Sequence, residues 1–298
     1  MELIALHGST LLILAIIFGV FMTWGIGAND VANALGTSVG SGALTVKTAI
    51  IVAAIFEFAG ASLAGSSVTK TIRKGIIDPE LISDSPELLI FGMLAALLAA
   101  GCWLALASTR GWPVSTTHSI VGAIVGFAVA GIGVESVNWS KISQIVASWV
   151  VSPVVGGGIA FMLMLSIQRL ILKSDNPFLS AVRYAPYYLF LVGFVISLVT
   201  IFKGLKHLDI DLNGIESAAV AAVIGLITAL IGKRAVGRAT ANANFGADDM
   251  TSGVERVFAP MIVFTACAMA FAHGSNDVAN GVGPVSYTHL TLPTSDLV

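Results

Sequence analysis

The fold class predicted by this sequence is an all-α, polytopic transmembrane helical bundle with inverted-topology repeats and broken or re-entrant helices. Three observations predict it. The chain has 298 residues, of which 56% are hydrophobic and only 11% charged, with a mean hydropathy of +0.91; a soluble domain carries roughly 25% charged residues. The charges cluster, leaving long uncharged runs between them. Finally, the string Asn-Asp-Val-Ala-Asn is written twice, once near each end, at 29–33 and 276–280.

The runs give the elements in order. The first, 8–29, has no Lys or Arg before it and no small-residue cleavage site after a short core, so it reads as a retained span and not a signal peptide. A second candidate, 48–69, is interrupted only by Glu57. Uncharged runs follow at 88–109, 111–134, 142–168, 184–202, 217–232 and 257–276. A bilayer-spanning helix needs about 20 apolar residues, and most runs reach that length. The expectation is therefore about eight crossings or re-entrant segments in a multi-pass protein of the plasma or inner membrane. Pro153 is expected to kink the long 142–168 helix. Trp24, Trp103, Trp112, Trp139 and Trp149 read as interfacial or packing residues.

Other features bound the function. Cys102 and Cys267 lie inside apolar runs and read as small core residues, with no disulfide framework. A net charge of −2 says nothing about partners beyond the lipid bilayer, and no segment resembles a nucleic-acid module. Lys233, Arg234, Arg238 and Arg256 favour a cytoplasmic 233–256 loop. If every preceding segment crosses, the loop with Lys70, Arg73 and Lys74 then faces outward, against the same rule, although Asp78, Glu80, Asp84 and Glu87 share it.

The repeated motif carries the chemistry. Setting Gly27 against Gly274 pairs Asn29 with Asn276, Asp30 with Asp277, Asn33 with Asn280 and Gly36 with Gly283. This is an internal duplication. An odd number of crossings between the copies inserts them with opposite orientation, an arrangement that places substrate and coupling ions near the midplane at broken helices. Gly25, Gly27, Ala28, Ala32, Ala34 and Gly36 are small and compatible with a helix break. Freed carbonyls, together with Asp carboxylates and Asn amide oxygens, would form a hard-cation site. A plain helix cap is the bland reading of Asn-Asp. Two copies at membrane depth favour the ion site, because an intramembrane ionisable residue is functional by default.

A second constellation is "GWPVSTTHSIVGAIVG" at 111–126. Pro113 ahead of Ser115, Thr116 and Thr117 is a helix-start pattern. Unpaired N–H groups, the positive dipole end and three hydroxyls suit an anion; alternatively the hydroxyls bond back to their own backbone. Glu57 is open to three readings: it completes a cation site, carries a proton, or pairs with a basic residue of another helix. His118 and His273 are read as supporting residues around the site.

Together, "GANDVANALGTSVGSGALT", "PVSTTHS" and "AFAHGSNDVANGVGP" resemble the inorganic phosphate transporter family over roughly 1–285. The resemblance implies a cation-coupled symporter with inverted repeats, and not an enzyme. It implies that Asp30, Asn33, Asp277 and Asn280 bind the coupling cations, with Asn29 and Asn276 shaping the site. By the same resemblance Ser115, Thr116 and Thr117 bind phosphate, and Glu57 and His273 fall at functional positions. Asp30 and Asp277 suit sodium as the coupling metal ion, with protons as the other choice and no organic cofactor. Two aspartates repel phosphate, so cations or protons must compensate them first. A homodimer is the only protein assembly considered.

The chain departs from the family pattern after Gly283-Pro284-Val285, where "SYTHLTLPTSDLV" is short and polar. The expected organisation is a transporter domain over 1–285, with a first repeat over about 1–172 and an incomplete second repeat whose motif lies at 274–283. The tail 286–298 then stands outside the family pattern. Counterparts of Glu57 and Ser115 in the second half would fall beyond Val298, so the chain alone is expected to insert without transporting unless two chains assemble. Two rival functions are weighed. A sulfate or other oxyanion permease fits the same scaffold. An intramembrane aspartyl protease needs carboxylates about 3 Å apart sharing a proton and has no use for matched asparagines.

Overall fold

The computed structural model describes residues 2–65, 76–77, 86–204, 212–240 and 250–291. The loop charges Lys70, Arg73, Lys74, Asp78, Glu80 and Asp84, and tail residues 292–298, lie outside these.

Among the described residues the chain forms eight α-helices: α1 Glu2–Gly40, α2 Val46–Ala64, α3 Pro86–Thr109, α4 Thr116–Gly131, α5 Trp139–Ile167, α6 Pro177–Gly204, α7 Gly214–Thr240 and α8 Met250–Thr291. Seven of them, all but α4, are long and apolar enough to cross a membrane. A lipid phase leaves backbone N–H and C=O groups only each other as partners, so apolar runs become helices throughout. The run at 111–134 differs from the others. Only its 16 residues Thr116–Gly131 are helical, about 24 Å at 1.5 Å per residue against a hydrocarbon layer of about 30 Å. Gly111 at φ +66° and the turn through Ser115 separate α4 from α3, and the two pack against each other with Phe127 over Gly92. They form a helical hairpin.

The chain divides into two compact units, 1–36 with 50–146 and 270–298, and 37–49 with 147–269. In the first unit α3 is the hub. Met22 and Ile26 of α1, Leu97 and Leu104 of α3, and Ile120 and Ile124 of α4 are buried together. Ile76 and Ile77 join this core, and Asn138 N donates to Ile76 O at 2.9 Å. In the second unit α6 and α7 run antiparallel, with Leu189 against Gly232 and Gly193 against Thr228. Ala185, Leu189, Val236 and Val257 form its core. α5 runs helically through Pro153 and ends in a π turn at Gln168–Leu172.

Two expectations need correction. The repeated motifs do not break their helices: α1 and α8 are continuous through 25–36 and 273–283, so their carbonyls stay within the helical ladder. The small residues serve close approach instead. A Cβ at Gly19 would stand 2.6 Å from Val285, and one at Gly281 would stand 2.5 Å from Thr23. Gly60 lies against the Phe271 backbone and Gly274 against that of Glu57, with no room for a Cβ at either. Helices in lipid associate through such small residues. Secondly, Cys102 is exposed and not in the core; it and Cys267 are free thiols.

Candidate functional site

The small-residue contacts fix the direction in which the two motif copies meet. Ascending α1, Gly19 faces Gly281 and Val285, Thr23 faces Gly281, and Asp30 faces Asp277 and His273. The copies therefore run antiparallel within the first unit, and Asp30 and Asp277 are brought together where the helices pass. α2 lies against α8 closely enough to bring Glu57 to the same place.

The centre of the cluster is His273. Its Nδ1 is 2.9 Å from Glu57 Oε1, and its Nε2 is 3.1 Å from Asp277 Oδ2 and 3.4 Å from Asp30 Oδ2. Nε2 is buried and yet forms a well-angled hydrogen bond with neither carboxylate. One donor atom each from Asp30, His273 and Asp277 can be chosen so that all lie within 4.8 Å of one another, a spacing that could hold a cation. Oxygen donors of this kind suit hard cations. Three carboxylates meet one imidazole here, with side chains 13–21% exposed, an arrangement that a bound cation would compensate.

The second cluster begins at the other oxygen of Asp277. Thr116 Oγ1 donates to Asp277 Oδ1 at 3.0 Å, and Asn280 Nδ2 donates to the same oxygen at 2.7 Å. Asn280 Nδ2 also reaches Thr117 Oγ1 at 3.1 Å and Thr116 Oγ1 at 3.4 Å. Asn280 is only 1% exposed, so it holds the first turn of α4 onto α8. Ser115 plays a different part: it is the N-cap, its Oγ accepting from His118 N at 3.2 Å. The capping reading of the hydroxyl run thus applies to Ser115, while the Thr116 and Thr117 hydroxyls face Asp277 and Asn280 of α8.

The remaining expected residues separate by position. Asn29 does not turn towards the carboxylates as a cation ligand would. Its Nδ2 donates to Trp112 O at 3.0 Å and Ser108 Oγ at 3.4 Å, while its Oδ1 accepts from Val114 N at 3.3 Å. It is a staple for the α3–α4 turn, and it is 8% exposed. Asn33 is exposed and makes no side-chain hydrogen bond among the described residues, unlike its counterpart Asn280. Asn276 is exposed, with its amide turned back to Ala272 O at 3.0 Å. His118 is exposed on the first turn of α4.

Sequence reasoning missed the central place of His273 because the motif does not repeat it: Ile26 occupies the aligned position. The available signal was its spacing, since a histidine four residues before Asp277 shares its helix face. Ser108 and the Trp112 carbonyl carried no signal at all. Among the described residues, no lysine or arginine is bonded to Asp30, Glu57, Asp277, Thr116, Thr117 or Asn280. The imidazole between the aspartates, with Thr116 and Asn280 on Asp277, is unlike a pair of carboxylates sharing one proton.

Comparisons with known proteins converge on one family. The profile described as the phosphate transporter family matches residues 26–296. A protein of Haemophilus influenzae named as a phosphate permease is 49% identical over 291 residues, covering 96% of this chain and 68% of the relative. The Arabidopsis thaliana protein named inorganic phosphate transporter 2-1, chloroplastic, is 38% identical, covering 95% of this chain and 51% of its own. A solved structure titled as the sodium-dependent phosphate transporter superposes with a TM-score of 0.86 at 39% identity, over 94% of this chain and 68% of that one.

Proposed function

This chain belongs to the phosphate transporter family, and from that premise we propose that it binds inorganic phosphate and sodium for their symport. Asp30, Asp277 and Glu57 bind the cation, and Thr116, Thr117 and Asn280 bind the anion, with Ser115 as the cap that presents the helix start. The observation that carries this reading is the divided use of Asp277, whose Oδ2 faces His273 and whose Oδ1 takes the Thr116 and Asn280 donors. Those donors are the groups an anion would want, and an uncompensated carboxylate already holds them. A sodium ion on Asp277 weakens its claim on the hydroxyl and amide protons, which then turn to phosphate. The helix start adds its dipole and free N–H groups. Cation first and anion second follows from the charge balance.

The sodium-dependent structural relative supports the choice of sodium, and the Asp and Glu oxygens match a hard monovalent ion. Binding of radiolabelled phosphate to the purified chain in detergent tests the reading. Binding is expected in sodium chloride and lost in choline chloride of equal ionic strength, and it should fall at least about tenfold in Asp277→Asn. Equal binding in both salts overturns sodium coupling; if acidification then restores selectivity, the coupling ion is the proton. Sulfate displacing phosphate at equal concentration would replace the substrate with a general oxyanion.

A further inference from the structure

The face of α2 that carries Glu57 borders an open-sided cavity of about 280 Å³ between α1, α2 and α8 in the first unit, with Phe58 on its exposed rim. Its walls come mostly from Ile26, Ala54, Phe58, Ala61 and Val278, and its polar groups, Glu57, His273 and Asp277, converge on it from the cluster. Neither ion of the transport cycle has a use for those walls. Sodium needs oxygen atoms around it, and phosphate needs hydrogen-bond donors, which hydrocarbon cannot supply. Glu57 engages His273 through Oε1 alone, and its Oε2 has no hydrogen-bond partner among the described residues. The cavity thus joins an apolar body site to an anionic head site. Pockets of this make-up, apolar with a few convergent polar groups, are those that take small organic ligands.

We propose that this cavity binds a small lipophilic primary ammonium. The charged head lies against Glu57 and Asp277, and the hydrocarbon or aryl body lies against Phe58, Ala61, Ala54 and Val278. Ammonium to carboxylate is a charge-assisted contact, stronger than a neutral one, and the Phe58 ring offers a face to an aryl group or to the cation itself. The head position overlaps the proposed cation site at Glu57 and Asp277, the body position lies outside it, and binding does not require either ion to be the cargo.

Calorimetric titration of the purified 298-residue chain with phenethylammonium, against phenethyl alcohol as its neutral counterpart and protein-free micelles as the blank, tests the proposal. The ammonium is expected to bind at least about tenfold more tightly than the alcohol. Ala61→Leu, which fills the cavity, and Glu57→Gln, which removes its charge, should each weaken binding by about tenfold or more. Ala54→Leu on the same helix face gives a second filling variant should Ala61→Leu melt early, and thermal unfolding identifies which variants are folded. Equal binding of amine and alcohol, absence of binding in the millimolar range, or unchanged binding in a folded filling variant overturns the proposal. Because no phosphate or sodium is present, these outcomes do not depend on the transport reading.

Discussion

One imidazole touches three carboxylates here, and only one of those, Asp277, also touches the hydroxyl cluster. Removing the imidazole leaves Glu57, Asp30 and Asp277 facing one another. His273→Gln is expected to lower stability by about 1–3 kcal/mol. Sodium should restore more of that loss than choline at equal ionic strength, because a bound cation replaces the missing screening. Melting curves in the two salts check this, and equal recovery in both would show that no cation occupies the cluster. Asp30→Asn keeps the shape of the side chain and removes one charge, so sodium-dependent phosphate binding should fall at least about tenfold while the melting temperature holds or rises. At this scale the sequence disclosed the acids well. Asp30 and Asp277 stand out because a carboxylate in an apolar run is costly, and the duplication marks both. The asparagines were less legible. Asn29, Asn33, Asn276 and Asn280 look alike in two copies of one string, yet their roles depend on what packs beside each copy, and that is long-range information.

At the scale of elements, the α3–α4 hairpin is held from α1 by Asn29 at its turn and from α8 by Asn280 at the start of α4. Asn29→Ala leaves Val114 N–H without its side-chain acceptor, and it should cost about 1–3 kcal/mol. Phosphate binding should weaken as the threonines lose their fixed position. A protein that melts like the parent while losing phosphate binding would instead give Asn29 a direct ligand role. The motif glycines offer a cleaner pair. Gly27 and Gly274 are aligned in the duplication, but a Cβ at Gly27 meets nothing within 4 Å, whereas one at Gly274 meets the Glu57 backbone. Gly27→Ala should be neutral or stabilising by up to about 1 kcal/mol through helix propensity; Gly274→Ala should destabilise by about 1–3 kcal/mol through overpacking. Matching melting temperatures for the two would refute the close approach of α2 and α8. The same glycines explain why a helix break was expected and not found. Glycine permits a break and permits contact equally, and a single sequence does not say which of the two its neighbours use.

For the molecule as a whole, composition alone reached the right class, because an uncharged run of some 20 residues has few stable states other than a membrane helix. The eight expected segments correspond to eight helices among the described residues, but the 111–134 run begins with a turn, and its helix is short because it starts at the cap at Ser115. The antiparallel passage of the two motifs was legible from duplication, and its register was not. The two ions should also stabilise the folded chain jointly. Phosphate at about 100 times its dissociation constant should add about 2.7 kcal/mol when sodium is present and little when choline replaces it. Differential scanning fluorimetry over a grid of both concentrations measures this, and additive shifts would separate the two sites energetically. Among the described residues no lysine or arginine is bonded to the cluster, which has a final consequence for unloading. A site with a fixed cationic side chain would keep its grip on phosphate after sodium departs, and each turnover would wait on that slow escape. In the proposed symport, apart from the imidazole, the attraction would come aboard with the cargo. If the proposed symport holds, departure of sodium would leave Asp30, Glu57 and Asp277 facing the phosphate uncompensated, and the binding site would empty itself.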